Sequence, residues 1–296
     1  MQEQYVRANG VTLAFDEFGD QSHPAIILIM GLGTQMIAWP ETLCRGLADQ
    51  GFRVIRFDNR DIGLSEKMDD ARKPNIPWAM IKSRIGLPLR VAYTLQDMAD
   101  DTRGLMSALE IDAAHIVGAS MGGMIAQLLT ASEPDKVLSL TSIMSSSGAR
   151  NLPSGSPEIL RALTQRNDGG EQELLAQRCR VLAMIGSTGQ YAPDPDELMA
   201  KVVASYRRSY YPPGYLRHML AIMHCGSRVR QLQSIQRPTL VIHGKADPLV
   251  PVAAGIDTAR HIQGSKLELI EDMGHDLPAG LIPHMADLIT RHARSV

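Results

Sequence analysis

Excess charge of either sign is missing from this 296-residue chain: 30 Lys and Arg stand against 32 Asp and Glu, a formal net charge of −2. Nucleic acid or an anionic membrane as partner calls for clustered Lys and Arg, so neither is expected. Cysteine is scarce. Cys44, Cys179 and Cys225 are odd in number and far apart, which argues against a disulfide framework or a thiolate metal site. Long apolar runs are missing too. Residues 25–30 form the longest near the front, far short of the roughly 20 residues that span a bilayer, so no stable membrane association is expected. The opening MQEQYVRANG is polar and lacks the apolar segment of a signal peptide, and a cytoplasmic location is expected. There is no internal repeat and no low-complexity tract. What remains, 44% hydrophobic and 21% charged residues, fits a globular protein with one large α/β domain or two small ones.

What is present is an alternation. Residues 5–18 hold two short alternating stretches around Asn9-Gly10, a dipeptide that favours a type I′ hairpin. Strands are expected at 25–30 and 53–58, with a segment of helical period at 36–50 between them. The apolar spacing of Leu95, Met98, Leu105, Met106 and Leu109 predicts a helix over 94–109, with Thr94 and Asp97 suited to its start. Then come a strand at 114–119, a helix at 121–131 and a strand at 137–144. After a gap, strands at 239–243 and 266–270 alternate with helices at 252–262 and 281–292. Continuous apolar strands alternating with helices imply a mostly parallel sheet covered on both faces. The gap, about 147–237, opens on a Gly/Pro/Ser-rich stretch and then shows helical periods without clear strands, as a helical insertion would. A second long connection, 65–93, carries Pro74, Pro77 and Pro88, and loops of that length are unusual unless functional.

Residues 118–122 read Gly-Ala-Ser-Met-Gly. A G-x-S-x-G pattern between a strand and a helix is the setting of a nucleophile elbow, in which a sharp turn lifts the serine hydroxyl clear of the sheet and small neighbours let the helix pack back on the strand. Ser120 is therefore the candidate nucleophile, at a helix N-terminus that favours developing negative charge. A serine needs a base, and the base an orienting group. Asp247 follows the strand at 239–243 and His275 follows that at 266–270. In a parallel sheet both fall on loops at the carboxyl edge, as the elbow does, and the order Ser, Asp, His suits such a fold. Taken singly, Asp247 before Pro248 is also a plain turn former and His275 a surface-loop histidine. Asp272 and Asp276 compete for the acid's role but lie too near His275 in sequence to reach its ring easily.

A tetrahedral intermediate needs backbone N–H donors. Met121, after the nucleophile, is one candidate, and Leu32, in Gly31-Leu32-Gly33 after the first inner strand, is the other. Among the remaining histidines, His115 and His243 sit in or at the end of strands and read as packed. His218 and His224 fall in the insertion, where packing competes with contact to substrate. Trp78, Met184, Met219 and Met223 are candidates for an apolar substrate pocket, although ordinary core packing accounts for them equally. No metal ligands and no cofactor are called for.

Gly31-Leu32-Gly33, Arg56-Phe-Asp-Asn-Arg-Asp-Ile-Gly-Leu-Ser65, Gly118 to Gly122, Asp247 and His275 together resemble the α/β-hydrolase family across essentially the whole chain. Met30-Gly-Leu-Gly-Thr-Gln-Met-Ile-Ala-Trp39-Pro40, with the Arg-Asp-Ile-Gly-Leu-Ser segment, is similar to a bacterial esterase branch that includes the aclacinomycin methylesterases. The resemblance implies an eight-stranded, mostly parallel sheet flanked by helices, with a helical cap at 148–235 and a core of 1–147 and 236–296. Many relatives carry His-Gly before the oxyanion loop, where this chain has Met30-Gly31. Some place the acid after the strand that follows the elbow, but residues 145–150 hold no carboxylate, which leaves Asp247. The function implied is hydrolysis of a small-molecule carboxylic ester. Perhydrolysis and C–C bond hydrolysis use the same three residue types and remain open. So do a non-catalytic small-molecule receptor and a lipase with Ile76, Trp78, Met80 and Ile81 as an apolar lid.

Overall fold

A computed structural model describes residues 3–71, 75–85, 87–165 and 169–296, with the side chains of Pro77, Met80, Ser83 and Arg84 outside that description. The chain opens with β1 (Gln4–Ala8) and β2 (Val11–Phe18). Asn9 and Gly10 between them have φ of 47° and 80°, the two left-handed residues that a type I′ turn demands. Six further strands follow: β3 (Ala25–Ile29), β4 (Arg53–Phe57), β5 (Ala114–Ala119), β6 (Val137–Ile143), β7 (Thr239–Gly244) and β8 (Lys266–Ile270). All eight form one sheet in the order β1-β2-β4-β3-β5-β6-β7-β8. Pairing is antiparallel from β1 to β4 and parallel from β4 onward. The mostly parallel α/β sheet expected from the apolar strands is thus the architecture of the protein.

The helices are α1 (Glu41–Asp49), α2 (Ile76–Arg84), α3 (Leu95–Ala108), α4 (Met121–Ser132), α5 (Pro157–Thr164), α6 (Glu171–Ile185), α7 (Pro195–Arg208), α8 (Pro212–Cys225), α9 (Val229–Ser234), α10 (Ala253–His261) and α11 (Ile282–Ala293). Two cores lie on opposite faces of the sheet, and β3 feeds both because side chains alternate along a strand. Ile27 and Ile29 pack with Leu95, Leu105, Ile125 and Leu129 of α3 and α4. Ile26 and Leu28 pack with Leu43, Leu47, Met285 and Ile289 of α1 and α11. Both faces are therefore dry, and β3, β4, β5 and β7 are buried along their whole length. Thr94 starts α3 with a capping box: Asp97 N donates to Thr94 Oγ1 and Thr94 N to Asp97 Oδ2.

The connection between β4 and α3, expected as a loop, contains α2. Pro77 sits in its first turn, where a missing N–H leaves no helical bond unmade. Ile76 and Ala79 bury against Leu220 of α8, with Met219 and Met223 packed around them. Between β6 and β7 the described residues form α5 to α9 and no strand. Among the described residues no helix is long and apolar enough to cross a membrane.

Candidate active site

Parallel strands β3, β5, β7 and β8 end at one sheet edge, and the loops leaving them carry the candidate residues. Ser120 lies between β5 and α4 with φ 56° and ψ −119°, a conformation an L-residue adopts only under constraint. The constraint is visible. Ser120 N donates to Ile143 O at 2.9 Å, and Ser120 O accepts from Ser145 Oγ at 2.8 Å. A side chain at Gly118 would overlap the Gly122 carbonyl, and one at Gly122 would overlap the Ile29 carbonyl. The elbow glycines thus allow α4 to pack within backbone contact of β3 and β5.

His275, just beyond β8, directs Nε2 to Ser120 Oγ at 2.9 Å and Nδ1 to Asp247 Oδ2 at 2.7 Å. A carboxylate only accepts, so Nδ1 carries the proton and Nε2 is left to accept from the serine hydroxyl. Asp247 is buried, and its other oxygen accepts from Leu249 N at 2.9 Å and Val250 N at 2.8 Å. These bonds hold one oxygen on the imidazole. His275 is held by its own backbone, whose N–H donates to Ile185 O at 2.7 Å, at the end of α6. A Cβ at Gly274 would overlap the Gly186 backbone, so this loop runs directly beneath the insertion.

The Gly31-Leu32-Gly33 loop stands beside the serine: a Cβ on Gly31 would lie 3.1 Å from Ser120 Cβ. Met121 opens α4, so its N–H has no helical acceptor. Among the described residues no hydrogen bond occupies the Leu32 N–H. Gly31 O accepts from Thr34 N at 3.3 Å, which directs the Leu32 N–H, trans to it across the same peptide, the opposite way.

The competing acids are engaged elsewhere. Asp276 Oδ1 accepts from Ser187 N and Oγ at 3.0 and 2.5 Å, and burial raises its carboxyl above the ordinary range. The Asp272 carboxylate is turned to the insertion, where a Cβ on Gly189 would lie 2.5 Å from its Oδ2. His115 Nδ1 meets Ser139 Oγ at 2.8 Å, and His243 Nε2 meets Val250 O at 2.8 Å. Burial lowers both imidazoles, His115 to about 4. His224 Nδ1 lies 3.2 Å from Leu89 O. Trp78 is 54% exposed on α2 with the Lys82 ammonium 5.8 Å from its ring centre. Ile81 is 51% exposed and Met184, near the end of α6, 38%. Met219 and Met223 belong to the cluster with Ile76, Ala79 and Leu220. The Met80 side chain and Pro74 lie outside the described residues.

Sequence reasoning missed the ion pairs gathered at the end of β4. After β4, Asp58 accepts from Met36 N, Leu64 N and Arg208 Nη1 at 2.7, 2.9 and 2.7 Å, and Asp61 is paired with Arg217. Arg56 and Arg60 pair with Asp16 and Asp101 at 2.8 and 2.5 Å. Four charges within Arg56-Phe-Asp-Asn-Arg-Asp, at the end of a strand that carries Val54, Ile55 and Phe57, were the available signal, since buried charges require partners. Among the described residues no three His, Cys, Asp or Glu side chains are grouped to hold a metal ion.

A family model described as the alpha/beta hydrolase fold matches residues 24–278. The chain belongs to the α/β-hydrolase family. Across its whole length this hydrolase is 26% identical to rhodomycin D methylesterase DauP of Streptomyces sp. (strain C5), covering 99% of that protein. It is also 26% identical to 3-oxoadipate enol-lactonase 1 of Acinetobacter baylyi, over 88% of this chain and 86% of that one. Among solved structures, the meta-cleavage product hydrolase CumD of Pseudomonas fluorescens IP01 shares the fold with a TM-score of 0.77 at 18% identity, covering 99% of this chain and 97% of that one.

Proposed function

We propose that this α/β hydrolase cleaves small-molecule carboxylic esters through an acyl-enzyme on Ser120, with His275 as general base and Asp247 as the orienting acid. The observation that carries the proposal is the continuous line from Asp247 Oδ2 to His275 Nδ1 (2.7 Å) and from His275 Nε2 to Ser120 Oγ (2.9 Å). His275 takes the hydroxyl proton as Ser120 Oγ attacks the ester carbonyl, and the Leu32 and Met121 amides receive the oxyanion. His275 then protonates the departing alcohol. Water, deprotonated by His275, attacks the acyl-enzyme, and His275 returns the proton to Ser120 Oγ as the acid departs. Two relatives that match most of the chain are named for ester chemistry, a methylesterase and an enol-lactonase, which favours methyl esters and lactones as the substrate class.

The division of labour follows the chain: residues 1–147 and 236–296 form the core that carries Ser120, Asp247 and His275, and 148–235 a cap that closes over them. The test is turnover of short p-nitrophenyl esters, methyl esters and lactones by the wild type and by Ser120→Ala. Loss of turnover, with a fluorophosphonate label on Ser120 in the wild type, is the expected result. Undiminished turnover by the pure variant overturns the assignment.

A further inference from the structure

His218, in the middle of α8, is fully buried and grips the loop beside the nucleophile. Its Nε2 lies 2.8 Å from Arg60 O, and its Nδ1 lies 3.3 Å from Gly33 N. A carbonyl oxygen only accepts, so Nε2 carries the ring proton and Nδ1 accepts the Gly33 N–H. Burial holds the imidazole down to about 4, and the charges around it are paired: Arg60 with Asp101, Asp61 with Arg217. Tyr93 meets the His218 ring edge-on at 6.1 Å. The ring is thus a neutral acceptor with a fixed tautomer.

The same helix reaches the loop a second time. Gly33 has φ +64°, and a Cβ there would overlap the Tyr215 ring. On the other side of the loop, Asn59 Nδ2 donates to Met30 O at 2.9 Å, and Thr34 Oγ1 donates to Leu32 O at 3.1 Å. Leu32 O and Gly33 N belong to one peptide plane, so the Thr34 and His218 bonds pin it from both ends. The Gly33 amide is thereby consumed, while among the described residues no hydrogen bond occupies the Leu32 amide.

We propose that His218 is a positioning residue, which from the helical insertion holds the Gly31–Gly33 loop so that the Leu32 N–H meets the oxyanion. This rests on the acyl-transfer chemistry proposed for Ser120.

The test compares the wild type, His218→Phe, which keeps a ring and removes the acceptor, and His218→Gln, whose amide both accepts and donates. With p-nitrophenyl acetate, His218→Phe is expected to lose about 10- to 100-fold in kcat, less than deletion of an oxyanion donor, with KM changed less than about threefold. His218→Gln is expected to recover most of the loss. A trifluoromethyl ketone, whose hemiketal on Ser120 places an oxyanion in the same position, is expected to bind the Phe variant more weakly in proportion to kcat. Wild-type kcat in the Phe variant, a loss confined to KM, or no recovery in the Gln variant overturns the proposal. So does ¹⁵N NMR of the wild-type protein if it finds the His218 proton on Nδ1, a measurement that does not depend on any variant folding. Turnover by Ser120→Ala would instead remove the acyl-enzyme reading itself, whatever the His218 variants do.

Discussion

Arg217 of α8 places Nε 2.6 Å and Nη2 2.8 Å from the two carboxylate oxygens of Asp61, 156 residues earlier in the chain. Both side chains are buried. Burial pushes the Asp61 carboxyl up, but hydrogen bonds from Arg217, Met68 N and the Tyr93 hydroxyl outweigh it and hold it below the usual range. Removing one member strands the other charge out of water, so Asp61→Asn or Arg217→Met is expected to lower stability by about 3–5 kcal/mol in urea unfolding. The double variant Asp61→Leu with Arg217→Met is expected to recover a large part of that. A loss in the double variant equal to the sum of the two single losses would mean that the pair is not coupled. Because Asp61 is depressed, its contribution is present above the unfolded carboxylate pKa and is lost as pH falls through its folded value.

The elbow glycines give a second expectation, on backbone geometry. Gly122→Ala would drive a methyl group into the Ile29 carbonyl and within about 3 Å of Met30 O, a steric cost of the 1–3 kcal/mol seen for overpacked cores. Gly46→Ala, inside α1 with its nearest neighbour 3.8 Å from the added Cβ, is expected to keep or slightly raise the parent's stability. Chemical denaturation of the two variants side by side checks this. Equal stability would show that α4 does not press on β3.

The elements that could be read from sequence are those whose signals are local. Asn9-Gly10 announces its hairpin, Thr94 and Asp97 their helix start, and the unbroken apolar runs of β3, β5 and β7 a sheet dry on both faces. Ser120, Asp247 and His275 could be named because each follows a strand, and parallel order puts strand ends at one edge. Helix α2 was not legible, because Pro74, Pro77 and Pro88 read as loop punctuation while Pro77 in fact occupies a first turn. Nor were the partners of Asp58 and Asp61. Arg208 and Arg217 stand some 150 residues away on a helical insertion whose register on the sheet no local pattern encodes. His218 was singled out as a residue of the insertion, but its partners Arg60 O and Gly33 N were hidden for the same reason: they depend on which loop α8 crosses.

Acid stability follows from the buried imidazoles. Burial, aided by His292, lowers His115 from 6.5 to about 4. Between those values the unfolded chain binds a proton that the folded chain refuses, so stability falls as pH drops from 6.5 toward 4. For His115 alone the loss amounts to about 3 kcal/mol at the lower end. The urea midpoint measured against pH is expected to fall less steeply in His115→Asn, which keeps a polar partner for Ser139. Parallel curves for the variant and wild type would show that His115 titrates normally in the folded protein.

The sharpest expectation concerns Asp247→Asn. In the native site the two backbone amides of Leu249 and Val250 both donate to Oδ1, and Oδ2 faces His275 Nδ1. An asparagine will keep its carbonyl oxygen on the two amides, because its NH₂ group cannot accept from them. That choice turns the NH₂ toward His275, so Nδ1 must become the acceptor and the ring proton must move to Nε2, against the Ser120 hydroxyl. The base is then occupied by its own proton. On the acyl-transfer reading, kcat for a p-nitrophenyl ester is expected to fall by roughly 10³- to 10⁴-fold, with the unfolding midpoint little changed because no packing is lost. The His275 ¹⁵N resonances should report the tautomer change directly. A variant that keeps more than a tenth of wild-type kcat would show that Asp247 does not orient the base, and that another acid must.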